Sequence, residues 1–105
     1  MSRTLNAEEL KSLLPSDSIQ LIDVRRKEDK EDSTDSILDA TWYDPTQIAY
    51  WKNSLDKDKE VILFCVRGGG VSNSVLDTLQ ESNLKARYLE GGIEAWKGIE
   101  IKNNN

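Results

Sequence analysis

An apolar run, Val61-Ile62-Leu63-Phe64, ends at Cys65 and gives way within three residues to Gly68-Gly69-Gly70. Four consecutive apolar residues between the polar tract 56–60 and a glycine cluster suit a strand covered on both faces. Beyond the glycines, Val71, Val75, Leu76 and Leu79 fall along one stripe of a helix expected over about 71–82, with Ser72 a candidate cap. Strand, glycine loop and helix in this order form the junction of a parallel α/β sheet. Ligands of such sheets gather outside the carboxyl ends of the strands. The only cysteine of the chain is expected at one of those ends.

The thiolate is the reactive form of cysteine, and converging backbone N–H groups at a helix N-terminus favour it. The chain has no histidine. That excludes Cys–His and Ser–His catalysis and any histidine-ligated metal. Chemistry that starts from a preformed thiolate survives. A buried, inert cysteine is the plain alternative, and position alone weighs the two evenly.

The rest of the chain continues the alternation of helices and strands. Residues 6–14 form a short helix with Asn6 as cap, Glu8 and Glu9 in the first turn, Leu10, Leu13 and Leu14 on one face, and Pro15 as the stop. Ile19–Val24 is a strand closed by Asp23-Val24-Arg25. Arg26–Asp35 carries no apolar residue and is expected as solvated loop or exposed turn. Ile37–Tyr43 suits a short strand. Asp44-Pro45 makes a turn in which Asp44 caps a helix over about 46–55. Ala86–Leu89 is a further strand broken by Gly91-Gly92, and Ile93–Lys97 a final short helix before a frayed tail. The expected fold class is α/β, a parallel central sheet flanked by helices on both faces.

Length and composition bound the remainder. The 105 residues suffice for one domain, with its core over about 5–98 and 99–105 as tail. A formal net charge of −5 argues against nonspecific nucleic-acid binding. No apolar stretch approaches the ~20 residues of a membrane helix, and no signal-peptide pattern opens the chain. A single cysteine cannot form an internal disulfide, so a cytoplasmic location is expected.

Three segments together resemble the single-domain rhodaneses, which are sulfurtransferases. They are Asp23-Val24-Arg25, the Cys65 glycine loop, and the string Leu89-Glu90-Gly91-Gly92-Ile93-Glu94-Ala95-Trp96. The similarity runs from about Leu5 to Gly98. The eight-residue string is its most specific part, whereas Asp-Val-Arg is informative only in combination.

The resemblance implies a rhodanese-like fold and a cysteine that cycles between thiolate and persulfide. The family's catalytic cysteine falls on Cys65 and its anion-cradling loop on Val66, Arg67, Gly68, Gly69, Gly70 and Val71. Its aspartate and arginine fall on Asp23 and Arg25. Where many members carry arginine directly after the cysteine, this chain has Val66, with Arg67 next; late in the loop it has Gly70 and Val71. A neutral or protein-bound persulfide donor suits that reduced positive charge at least as well as thiosulfate.

The expected activity is transfer of sulfane sulfur from thiosulfate, a polysulfide or a persulfide to a thiol or cyanide through a Cys65 persulfide, with no metal or organic cofactor. Arg67 is the best candidate to recognise charge, with Arg25 a weaker one that would more often pair with Asp23. Trp96 is expected to be structural, and Trp42 stays open. The alternative function is a non-catalytic regulatory or redox-sensing module. A phosphatase would need an arginine six residues after the cysteine, where Val71 stands. A nucleotide loop would need Gly-x-Gly-x-x-Gly or a Walker lysine, and neither is present.

Overall fold

A five-stranded sheet in the order β1-β5-β4-β2-β3, parallel throughout, carries the structure. Its strands are β1 (Thr4–Leu5), β2 (Ile19–Asp23), β3 (Thr41–Trp42), β4 (Glu60–Phe64) and β5 (Ala86–Leu89). The helices are α1 (Ala7–Leu13), α2 (Lys27–Glu31), α3 (Ile48–Trp51), α4 (Gly70–Glu81) and α5 (Gly92–Asn103). This computed structural model describes residues 3–14, 18–31, 37, 40–67 and 70–103. No described helix is long and apolar enough to cross a membrane.

The period-2 alternation of β4 sorts its side chains between two cores. Val61, Leu63 and Cys65 pack with Val75, Leu76 and Leu79 of α4 and with Trp51 and Leu55. Ile62 and Phe64 face the other way, against Leu10 of α1 and Ile93 and Trp96 of α5. Every apolar residue of β4 is fully buried, which is why the run is continuous rather than alternating. Trp96 sits in the α1/α5 core, as expected from the sequence.

The expected caps of the first half are present. Asn6 accepts from the Glu9 N–H at 2.8 Å while Glu9 Oε1 accepts from the Asn6 N–H at 3.0 Å, a reciprocal capping box. Asp44 Oδ1 accepts from the N–H of Thr46 at 2.9 Å and from its Oγ1 at 2.7 Å. Those bonds, with help from the nearby Lys27 charge, hold the Asp44 carboxyl below the usual carboxylate range.

Several elements differ from the sequence reading. Residues 27–31 form α2, a short exposed helix whose lack of apolar residues hides it from a periodicity argument. The strand expected over Ile37–Tyr43 shrinks to Thr41–Trp42, while Ile37 is a buried anchor in the α1/α5 core. Leu38 and Asp39 lie outside the described residues. The helix expected over 46–55 is divided into 3-10 turns at Pro45–Gln47 and Lys52–Ser54 around α3. α5 passes through Gly98 and ends at Asn103 rather than Lys97. β1 escapes the sequence reading because two residues carry no period; its pairing with Tyr88 and Leu89 of β5 defines it.

Candidate active site

β4 delivers Cys65 to the carboxyl edge of the sheet, where Val24 follows the end of β2 and binds the Phe64 carbonyl at 2.9 Å. Cys65 keeps 7% of its surface exposed and lies on the α4 face of the sheet. Val66 is half-buried, Arg67 is exposed, and Gly70 is the first residue of α4. Val71 packs against the core cluster to which Cys65 belongs. Gly68 and Gly69 lie outside the described residues. The Arg67 guanidinium makes no ion pair among the described residues.

The opening turn of the loop is held by α5. The Ile93 N–H donates to the Cys65 carbonyl at 2.8 Å, and the Glu94 N–H donates to the Val66 carbonyl at 3.2 Å. These are among the N-terminal donors of α5 that have no partner within the helix. In a planar trans peptide the next N–H points opposite to the carbonyl. The N–H groups of Val66 and Arg67 are therefore turned away from α5. The approach is possible because residue 92 is glycine. A Cβ there would press into the Cys65 carbonyl oxygen and lie 2.6 Å from the Val66 carbonyl carbon and 2.7 Å from Arg67 N. Gly91 and Gly92 also have φ of 74° and 59°, a region that disfavours side chains.

This support was missed in the sequence, where Gly91-Gly92 marks only the end of a strand. The available signal was a second glycine cluster between a strand and a helix, matching the one that follows Cys65.

Asp23 and Arg25 form a buried ion pair, each side chain 2% exposed. Asp23 Oδ2 accepts from Arg25 Nη2 at 2.7 Å, and Oδ1 accepts from the Arg25 backbone N–H at 2.9 Å and from Nε at 3.1 Å. The guanidinium also lies 5.9 Å from the centroid of the Phe64 ring. Arg25 thus points inward, the partnership with Asp23 that the sequence favours, and it stiffens the turn after β2. Trp42 donates its Nε1–H to the Arg25 carbonyl at 2.9 Å, so it braces that turn.

Ser72 does not cap α4. The helix begins at Gly70, which makes Ser72 its third residue, fully buried, and its Oγ has no hydrogen-bond partner among the described residues.

Comparison with known proteins agrees with this fold. The family model for the Rhodanese-like domain matches residues 6–99. A protein of Bacillus subtilis (strain 168) named "Putative sulfurtransferase YtwF" is 36% identical over 97 residues, 91% of each chain. A rhodanese-like domain protein from Staphylococcus aureus superposes with a TM-score of 0.77 at 31% identity, again over 91% of each chain. A thiosulfate sulfurtransferase from Pseudomonas aeruginosa shares the fold with a TM-score of 0.80 at 18% identity; the match covers 95% of this chain and 19% of that one.

Proposed function

Because the chain belongs to the rhodanese-like domain family, a sulfurtransferase-type family, we propose that it moves sulfane sulfur through a persulfide on Cys65. The Cys65 thiolate attacks the sulfane sulfur of a donor. The bond from that sulfur to the rest of the donor breaks, and its electron pair leaves with the donor remnant as sulfite or a thiolate. Cys65 then carries a second sulfur with a terminal negative charge. An acceptor thiolate attacks this outer sulfur, the enzyme's S–S bond breaks, and Cys65 returns as thiolate.

Neither step requires a general base, which agrees with a chain that has no histidine. What the intermediate needs is donors aimed at an anionic sulfur. The observation that carries the reading is the hold of α5 on the Cys65 and Val66 carbonyls, which turns the Val66 and Arg67 N–H groups away from α5; we take them as donors to that sulfur. Gly68, Gly69, Gly70 and Val71 would complete the cradle, and exposed Arg67 would meet a charged donor or acceptor. The Asp23–Arg25 pair fixes the neighbouring turn, and the substrate-binding role is given to Arg67 rather than to buried Arg25.

Intact-mass analysis after incubation with thiosulfate, a polysulfide or a low-molecular-weight persulfide tests the proposal. Wild type should gain ~32 Da per sulfur atom and lose it to an added thiol, following the reversible branch of cysteine modification. Cys65→Ser should gain nothing. Sulfur transfer by Cys65→Ser at the wild-type rate would overturn the assignment.

A further inference from the structure

The Ser72 hydroxyl is fully buried and has no hydrogen-bond partner among the described residues. Buried polar groups are rarely left unpaired, because the loss of water is then uncompensated. The helix itself does not call for a serine here. Ser72 is the third residue of α4 rather than its cap, and alanine is the better helix former.

The fold directs this hydroxyl toward the strand end that carries Cys65. Val75, Leu76 and Leu79 share a core cluster with Val61, Leu63 and Cys65. Ser72 precedes those three helix residues by three, four and seven positions, so it lies on the same sheet-facing stripe of α4. β4 and β5 are parallel neighbours, and α4 is the crossover between them. The first turn of α4 therefore stands at the carboxyl edge of the sheet, where Cys65 follows β4. Side chains on a helix lean toward its N-terminus, which tilts the hydroxyl toward that edge rather than back over the sheet. Main-chain N–H groups of a first turn have no partner within the helix and favour an anion beside them.

Resting on the sulfurtransferase reading, we infer that Ser72 is a persulfide-binding residue, whose O–H donates to the outer, anionic sulfur once Cys65 is loaded. The second sulfur extends the cysteine side chain by about 2 Å, the length of an S–S bond. A serine hydroxyl swings its hydrogen to meet such an acceptor. In the unloaded protein it makes no hydrogen bond to the Cys65 sulfur. Its contribution is thus confined to the loaded form, and it favours the intermediate over the resting thiolate.

The test is a sulfur-exchange equilibrium between the whole protein and glutathione persulfide mixed with glutathione at a fixed ratio. The Cys65 thiolate takes the outer sulfur, glutathione leaves as its thiolate, and the reverse step restores both. Intact mass reads the loaded fraction from the gain of ~32 Da. Ser72→Ala should show a loading constant roughly three- to tenfold below wild type, the scale of one hydrogen bond. Ser74→Ala removes an exposed hydroxyl two residues further on and should match wild type. The midpoint pH for alkylation of Cys65 by iodoacetamide should be the same in wild type and Ser72→Ala, since the resting thiolate does not use the hydroxyl. Thermal melts verify that each variant is folded. An unchanged or raised loading constant in Ser72→Ala, or an equal fall in Ser74→Ala, overturns the role of Ser72 while leaving sulfur loading by Cys65 intact. A midpoint pH displaced as far as the loading constant would mark a general disturbance of the loop and overturn it equally. If wild type gains no sulfur mass from any donor, the sulfurtransferase reading falls, and the role of Ser72 with it.

Discussion

The backbone N–H of Ile93 donates to the carbonyl of Cys65 at 2.8 Å, joining two residues 28 positions apart in the chain. The thiol-bearing residue is thereby fixed through its own main chain by the first turn of α5. The glycine pair before Ile93 is what brings the two backbones together, since a Cβ at position 92 would overlap the loop.

Gly92→Ala should therefore damage function and stability together. The new methyl group meets backbone rather than flexible side chain, and φ of 59° is already unfavourable for alanine. A left-handed non-glycine residue costs about 1–2 kcal/mol before the overlap is counted. We expect lower stability in urea and at least a severalfold slower gain of sulfur mass. Gly98→Ala is the matched control. Nothing lies within 4 Å of a Cβ there, and the residue is inside α5. It should stabilise the protein by about 0.5–1 kcal/mol, the usual gain for alanine over glycine in a helix. Equal behaviour of the two variants would refute the role assigned to position 92.

The Asp23–Arg25 pair predicts a non-additive pattern. Removing either partner leaves a buried charge uncompensated, so Asp23→Leu or Arg25→Met should each destabilise by about 3–5 kcal/mol. Replacing both by apolar residues, as Asp23→Leu with Arg25→Met, should cost less than the sum of the single changes. Urea unfolding of the four proteins measures this directly. Strict additivity would show that the two side chains act independently.

The sequence exposes those parts of the architecture that local pattern controls. Val61–Phe64 announces a strand covered on both faces, and the glycines after Cys65 place that residue at a strand-to-helix junction. Asn6 with Glu9 announces a helix start. What stays hidden depends on partners distant in the chain. Thr4–Leu5 is a strand because β5 lies beside it, and Gly92 matters because Cys65 lies beneath it. An open cleft of about 590 Å³ between the segments that follow β2 and β3 and the start of α4 is equally invisible, since Arg26, Pro45 and Val71 meet in its lining only after three strands align. α2 has no buried side chain to give it a period.

Ser72 offers a test in the opposite direction. Its hydroxyl is buried without a partner among the described residues, and an unsatisfied buried group of this kind is unfavourable. Alanine removes the hydroxyl, keeps the backbone and has the higher helix propensity. Ser72→Ala should leave stability unchanged or raise it by roughly 1 kcal/mol in chemical denaturation. A clear loss of stability would mean that the hydroxyl has a bonding partner in the folded state.

Asp44 links the acid stability of the protein to the wall of the cleft. Hydrogen bonds from the Thr46 side chain and backbone, together with Lys27, lower its carboxyl below the ordinary value, so the folded protein favours the charged form. The sign follows from proton linkage: the unfolded chain takes up the proton first as pH falls. The stabilisation is therefore complete above the ordinary aspartate value of about 3.9 and disappears as pH drops through the lower folded value. Asp44→Asn retains an acceptor for the Thr46 N–H but has no proton to gain. The difference in melting temperature between wild type and Asp44→Asn should stay constant from neutral pH to about pH 5, then shift against wild type below about pH 4. A difference that holds constant to the acid limit of folding would show that the carboxylate is not preferentially held in the folded state, and that the Pro45 turn is set by the rest of its backbone.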